Sequence, residues 1–359
     1  MKAKILTCNN FRNLDTQQIE LYDGVNVICG ENAQGKTNLI EAIWLFTGAK
    51  SFRFSKDAEM VALQKENAKI SLEDEKGGIN QKSEIIFAPK KEVYLNSKKL
   101  RSAASLAGEF QAIIFSPSDL TLVWGDPAGR RRFIDAAICQ IYPRYVDILK
   151  NYTRAVTQRN SVLRNQSQQS SNINTLLDAF DSEISVLGEK LIIYRKRYVD
   201  LLNETLPEIF YGLSAGREEV SVKYACTCPD GIANALKQCR GEDIRRAVTS
   251  VGPHRDDLRF FINEKEVKAY GSQGQKRSVC LAVKLAEAKI IKKTCGEQPI
   301  ALLDDVMSEL DPSRQEYLLN HIKDWQVFIT CCDPSNIEKL NDGKVFIMEK
   351  GKLKEKIRL

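Results

Sequence analysis

The chain has 359 residues, 43% of them hydrophobic and 28% charged, with a formal net charge of +6. This is the balance of a globular protein with room for two or three domains, and it excludes a disordered or collagen-like chain. Apolar runs are broken by charge well short of the ~18 residues of a membrane-spanning helix, and the first residues lead straight into strand-like sequence, so a cytoplasmic protein without a secretory leader is expected.

Ala3-Lys4-Ile5-Leu6-Thr7 and Gln17-Gln18-Ile19-Glu20-Leu21 read as strands, and Asp23-Gly24 turns the chain into a third, Val25-Asn26-Val27-Ile28-Cys29. The next eight residues, Gly30-Glu31-Asn32-Ala33-Gln34-Gly35-Lys36-Thr37, fit the phosphate-loop pattern G-x-x-x-x-G-K-[ST]. Asn38-Leu39-Ile40-Glu41-Ala42-Ile43 continues as a helix that Gly48 should close. Strand, loop and helix together are the context that the motif needs. Its glycines let backbone N–H groups converge on phosphate oxygens. Lys36 is then placed for the β/γ-phosphates and the Thr37 hydroxyl for Mg2+.

Lys50-Ser51-Phe52-Arg53-Phe54 begins a loop whose Arg53 either reaches phosphate or makes a surface ion pair. Between residues 68 and 100 short alternating runs broken by Gly77-Gly78 and Asn96 suggest an antiparallel sheet, and Gln111-Ala112-Ile113-Ile114-Phe115 a further strand. After Gly125-Asp126-Pro127 the pattern is helical to about residue 206, with apolar residues stepping by three and four. Pro143 should restart the first helix, and the polar stretch 166–172 should be the tip of an antiparallel hairpin roughly 45 Å long. A projecting arm and a helical subdomain packed on the head both satisfy these seams. Past Pro207 strand sequence is expected to resume at Glu219-Val220-Ser221-Val222-Lys223-Tyr224, followed by a helix through residues 243–247 and a hairpin at 262–265. A long helix from Lys276, a buried strand at 300–303, a helix from Pro312, a strand at 327–330 and a closing hairpin about Asn341-Asp342-Gly343 complete the reading. It divides the chain into a head (1–120 with 241–359) and an arm (121–240).

Residues 128–165 hold eight basic residues (Arg130, Arg131, Arg132, Arg144, Lys150, Arg154, Arg159 and Arg164) against two acids, Asp135 and Asp147. Such a segment suits a phosphate backbone, and a solvated helix face is the alternative. The ten cysteines form no C-x-x-C pair, so buried thiols in a reducing compartment are expected rather than zinc or disulfides.

Ile300-Ala301-Leu302-Leu303-Asp304 is an apolar strand ending in an acid, where Asp304 would hold Mg2+ beside Thr37 and Asp305 would orient or deprotonate water. An Asp-Asp pair is also met in turns and helix caps. Ser272-Gln273-Gly274-Gln275 lies where a loop becomes a helix, an arrangement that binds anions. Since the phosphate loop already occupies one helix N-terminus, the second points to a phosphate held by another copy of the chain.

Taken with Phe115-Ser116-Pro117 and residues 125–132, 251–258, 270–278 and 302–311, these motifs resemble the ABC-type ATPase heads of the SMC/Rad50 group. More narrowly they are similar, along the whole chain, to the RecF family of bacterial recombination mediators. The resemblance implies an α/β fold, a P-loop ABC-type ATPase head with a short, antiparallel coiled-coil-like helical arm inserted. It implies a weak ATPase used as a switch: ATP and Mg2+ drive a head-to-tail homodimer that slow hydrolysis releases. Implied partners are double-stranded and gapped DNA, bound without reading sequence, and RecR with RecO for loading RecA, with no membrane. A structural clamp of the SMC/Rad50 kind or a nuclease-partner ATPase is the alternative. Asp305 departs from many ABC ATPases, which carry Glu there, and Thr330 falls near the place of a switch His. His254 belongs to the RecF-like pattern, either as part of a packed turn or as a nucleotide contact.

Overall fold

The structure is a computed structural model that describes residues 1–53, 55–165, 173–332 and 343–358. The first part contributes β1 (Lys2–Asn9), β2 (Gln17–Glu20), β3 (Val25–Cys29), α1 (Lys36–Trp44), β4 (Ala68–Lys76), β5 (Ile79–Phe87), β6 (Glu92–Leu95), β7 (Lys98–Lys99) and β8 (Ala112–Phe115). Then come α2 (Pro127–Ile141), α3 (Pro143–Arg164), α4 (Ile173–Ser214), β9 (Val220–Ala225), α5 (Ile232–Arg246), β10 (Asp257–Ile262), β11 (Lys265–Glu266) and α6 (Val267–Tyr270). The chain closes with α7 (Gln273–Cys295), β12 (Ile300–Asp304), α8 (Pro312–Ile322), β13 (Val327–Cys331), β14 (Gly343–Glu349) and β15 (Lys352–Arg358).

Five parallel strands and one antiparallel edge strand form the sheet that carries the phosphate loop, in the order β15-β14-β3-β13-β12-β8. Every residue of β3, β12 and β13 is buried, as parallel strands covered on both faces require. Their side chains divide with period two. Val25, Val27, Cys29, Ala301, Leu303, Val327, Ile329 and Cys331 enter one apolar core with α7 and the helical region. Ile28, Ile300, Leu302 and Phe328 enter a second core with α1 and the antiparallel sheet β2-β1-β4-β5-β6-β7. Helix α1 is thus held between two sheets, and its N-terminus is fixed where the phosphate loop ends.

Pro143 begins α3 one residue after α2 stops, because its ring suits the first helical turn. The seams on α3 and α4 are largely buried, including Tyr145, Tyr152, Leu177, Ile184, Leu191 and Tyr198. Tyr145, Tyr152, Ile184, Leu191 and Tyr198 join the core of α7 and the parallel sheet, so the base of the arm is packed on the head. The expected tip, residues 166–172, lies outside the described residues.

Two expectations are corrected. Helix α4 does not stop at Pro207 but continues to Ser214. Buried Ile209 and Phe210, with Tyr317 Oη donating to the Ile209 carbonyl at 2.7 Å, hold the turns beyond the missing proline N–H. The closing hairpin turns at Lys350 and Gly351, both at positive φ, while Asn341 and Asp342 lie outside the described residues. Strand β9 pairs with β10, so residues on both sides of 240 share one three-stranded sheet, β11-β10-β9. Among the described residues no helix is long and apolar enough to cross a membrane.

Candidate nucleotide site

The phosphate loop leaves the buried end of β3 and is tied down from three sides. Gly30 passes so close to β14 that a Cβ there would lie 2.5 Å from the Met348 carbonyl oxygen. Gly35 adopts φ 117° as it opens α1, a conformation closed to most side chains. Gln34 is held through its carbonyl by the Gly351 N–H at 3.0 Å and through Oε1 by the Lys350 N–H at 2.6 Å. Ala33, at φ 65°, presents its carbonyl to Asn13 Nδ2. A non-glycine residue in this region stores strain of the kind that accumulates at ligand-binding loops.

Lys36 is almost wholly buried, and its ammonium donates to the Glu31 carbonyl at 2.9 Å and to that of Gly30. Thr37 Oγ1 donates to Asp304 Oδ1 at 2.9 Å, across 267 residues of sequence. Asp304 ends β12, and Thr330 Oγ1 on neighbouring β13 donates to the same oxygen at 3.0 Å. Burial pushes the Asp304 carboxyl above its ordinary pKa, the two hydroxyls pull it back, and the charge of Asp305 pushes it up again. A carboxylate under that pressure beside a threonine hydroxyl is a donor set that a divalent cation relieves, so the residues fit Mg2+. Asp305 sits at φ 53°, its N–H bonded to Thr330 Oγ1 at 2.9 Å and its carbonyl to Ser308 Oγ at 2.8 Å. The paired acids are therefore neither a helix cap nor an ordinary turn, since one faces Thr37 and the other is held in a strained conformation beside it.

Ser272 caps α7 in a reciprocal box. Its Oγ accepts from the Gln275 N–H at 3.2 Å, and Gln275 Oε1 accepts from the Ser272 N–H at 2.7 Å. Gln275 Nε2 also donates to Glu218, and the Gly274 carbonyl accepts from Arg314 at 3.0 Å. Ser272 and Gln273 are exposed. Among the described residues no hydrogen bond joins residues 272–275 to the phosphate loop of the same chain. The structure unites residues 30–37 with Asp304 and Asp305, and leaves 272–275 as a separate helix end whose first two residues are exposed.

Sequence reasoning missed the support beneath α1. Glu41 is fully buried and receives Arg12 through two 2.8 Å hydrogen bonds, with the Ser51 hydroxyl as a further donor. Arg53 lies 3.8 Å from the same carboxylate and donates to Asn38 Oδ1 at 2.7 Å, which makes it an ion-pair partner. An acid on the apolar stripe of the helix was the available signal. The basic segment is also corrected. Arg130 is 2% exposed and bound to Asp257, while Arg159 is fully buried between Asp181 and Asp243. Arg131 donates to the Asp256 carbonyl. Three of the eight bases therefore hold the helical region together. His254 is packed inside it, with Nδ1 at 2.8 Å from Tyr152 Oη and Nε2 at 3.0 Å from the Thr249 carbonyl. The carbonyl only accepts, so Nε2 carries the proton and Nδ1 receives the phenol. Burial lowers the imidazole pKa to about 4.

Residues 3–354 match the RecF/RecN/SMC N-terminal domain family. The DNA replication and repair protein RecF of Clostridium perfringens (strain SM101 / Type A) is 39% identical over 98% of this chain and 99% of its own length. That of Clostridium acetobutylicum is 38% identical over 99% of this chain and 100% of its own. A solved structure of the recombination mediator protein RecF-ATPrS in the RecFOR pathway superimposes with a TM-score of 0.92 at 32% identity, over 99% of this chain and 98% of that one. An SMC head bound to the C-terminal winged helix of ScpA shares the fold, with a TM-score of 0.56 at 15% identity over 100% of this chain and 98% of that one. The fold is accordingly that of an ABC-type ATPase head with a helical arm, and the chain belongs to the RecF family of DNA replication and repair proteins.

Proposed function

We propose that the chain is an ATP-driven clamp for DNA repair, and the 2.9 Å hydrogen bond between Thr37 and Asp304 is the observation that carries this reading. It brings the two halves of a nucleotide site together at the carboxyl ends of parallel strands, where ligands of α/β sheets bind. Gly30, Glu31, Asn32, Ala33, Gln34 and Gly35 supply the backbone cradle, and Lys36 is the cation for the β/γ-phosphates of ATP. Thr37 and Asp304 would hold Mg2+, which when bound neutralises phosphate charge. Asp305 is the residue for orienting the attacking water, and its short carboxylate suits slow turnover. Relatives in the family include RecF structures with ATP and its analogue, which supports ATP as the nucleotide.

Ser272, Gln273, Gly274 and Gln275 belong to the site of a second copy in this reading, so the active unit is a head-to-tail homodimer. The exposure of Ser272 and Gln273 and the N-terminal position on the 23-residue α7 support it. Ser272 Oγ accepts within the box but keeps its own proton to donate. Gapped and double-stranded DNA, RecR and RecO are the proposed partners, RecA loading the outcome and the cytoplasm the place of work.

The test is sedimentation with and without ATP, followed by binding to duplex, single-stranded and gapped DNA. ATP should dimerise the chain and strengthen gapped-DNA binding, and Lys36→Ala should abolish both. Mixing Lys36→Ala with Ser272→Arg protein should restore ATPase activity at one composite site. Dimerisation by Lys36→Ala with ATP would sink the phosphate-loop assignment, and failure of the two variants to complement each other would sink the shared site.

A further inference from the structure

Strands β3 and β13 end side by side beneath the phosphate loop, each on a cysteine. Cys29 and Cys331 are register partners, so their side chains leave the same face of the sheet. Their Sγ atoms are 3.2 Å apart. Neighbouring strands run about 4.8 Å apart, within the Cα separations a disulfide accepts, and closing the gap to a bond takes roughly 1 Å of movement. Cys29 is bonded directly to Gly30. Cys332, the residue after Cys331, is exposed; it donates to Asn32 Oδ1 at 3.3 Å and lies 3.6 Å from Lys36 Nζ. Both strand ends are therefore connected to the cradle, one through the backbone and one through Cys332.

We propose that Cys29 and Cys331 are a reversible dithiol–disulfide pair whose oxidation closes the nucleotide site. The proposal rests on the reading of residues 30–37 as that site. The oxidant is a small peroxide, ROOH. Cys331 is the more accessible residue, 5% exposed against 1% for Cys29, and its sulfur attacks one peroxide oxygen. The O–O bond breaks and ROH leaves with one thiol proton, so Cys331 becomes a sulfenic acid. Cys29 sulfur then attacks the oxidised sulfur, the S–O bond breaks, and water leaves with the second proton. Two thiols have lost two electrons and the peroxide has gained them. Contact with Cys29, together with burial, holds the Cys331 thiol far above its ordinary pKa. The first step is slow on that account and needs sustained oxidant, whereas the second is intramolecular between atoms already in contact.

The bond draws the ends of β3 and β13 together directly under Gly30. The loop has little space to absorb the shift, given the approach of Gly30 to Met348 and the packing of Lys36 on the carbonyls of Gly30 and Glu31. Oxidation should move those carbonyls and misplace the Lys36 ammonium.

The full-length chain is divided into a reduced sample and one treated with hydrogen peroxide, each then alkylated and digested for mass mapping of cysteines. A fluorescent ATP analogue is titrated into both. The expected result is a Cys29–Cys331 linked peptide in the oxidised sample only, with ATP affinity weakened by about tenfold or more and recovered with dithiothreitol. Cys29→Ala and Cys331→Ser should each bind ATP like the reduced chain and lose the response to peroxide. If the reduced chain does not bind ATP, the nucleotide reading itself fails. If the reduced chain binds but the linked peptide is absent, or peroxide modifies Cys332 alone, the dithiol proposal is overturned. A linked peptide with unchanged ATP affinity overturns it equally. The mapping of the native chain decides these outcomes even if a variant fails to fold.

Discussion

Arg159 Nη1 donates to Asp243 Oδ2 at 2.7 Å, and both side chains are fully buried. The same guanidinium binds Asp181 at 2.6 Å and the Thr249 hydroxyl at 3.0 Å, which ties α3, α4, α5 and the loop before β10 together. Removing one partner of a buried ion pair leaves the other charge stranded and costs about 3–5 kcal/mol. Arg159→Ala should therefore lower the urea midpoint substantially, and Arg159→Lys, without the planar fork, should rescue only part of the loss. Denaturation followed by circular dichroism checks this. A stable Arg159→Ala protein with weaker DNA binding would return this residue to the DNA surface.

Thr330 holds both acids of the candidate site, through Asp304 Oδ1 and the Asp305 N–H. Thr330→Val keeps the shape and removes the hydroxyl. Hydrogen bonds involving a charged group are worth about 1.5–3 kcal/mol, which predicts a fall in ATP turnover of roughly ten- to a hundredfold. The expected split is a lower kcat with a smaller change in KM, because neither the Asp304 carboxylate nor the Asp305 N–H lies in the backbone cradle. Steady-state ATPase kinetics on saturating gapped DNA measure both, and an unchanged kcat would show that Thr330 does not position the acids.

His254 gives the protein a predictable acid sensitivity. Its folded pKa is about 4 against an ordinary value of 6.5, with burial as the main cause. Between those values the unfolded chain binds a proton that the folded chain does not, so stability rises with pH across the window and is lost as pH falls from 6.5 towards 4. The full difference is on the order of 3 kcal/mol. His254→Gln, which does not titrate, should flatten the dependence of the melting temperature between pH 4.5 and 6.5, using the wild-type chain as reference. An equal slope in both proteins would assign the acid sensitivity to other groups.

Local chemistry explains which parts of the fold were legible in the sequence. The phosphate loop could be read because Gly30, Gly35, Lys36 and Thr37 act within eight residues, between a strand and a helix with their own periodic signals. Asp304 was legible because a fully buried strand must end somewhere and an acid there is conspicuous. Pro207 misled because proline argues locally for a stop, whereas the burial of Ile209 and Phe210 and the hydrogen bond from Tyr317 of α8 are tertiary effects. Arg130 and Arg159 misled for the same reason, since a basic segment looks solvated until Asp257, Asp181 and Asp243 arrive from distant positions. The pairing of β9 with β10 across residue 240 was equally invisible, being a register between strands more than thirty residues apart.

Withdrawing the buried arginines narrows the surface on α3 that the proposed DNA contact would use. Lys150, Arg154, Thr157, Ser161 and Arg164 are all exposed and follow one another at intervals of four, three, four and three residues, which places them in one stripe along the helix. Three positive charges in line along a helix of roughly 33 Å match a phosphate backbone rather than a base edge. Each phosphate contact adds about 0.9 to the slope of log affinity against log salt for duplex DNA. Replacing Lys150 and Arg154 by Gln should therefore weaken duplex binding by the same factor on unrelated sequences and reduce the magnitude of that slope by about two. Fluorescence anisotropy on two duplexes of different sequence, across a salt series and with saturating ATP, provides the measurement. If the slope is unchanged, α3 does not carry the DNA. A sequence-dependent loss would instead show base readout, with one of these cations reaching a base edge rather than a phosphate.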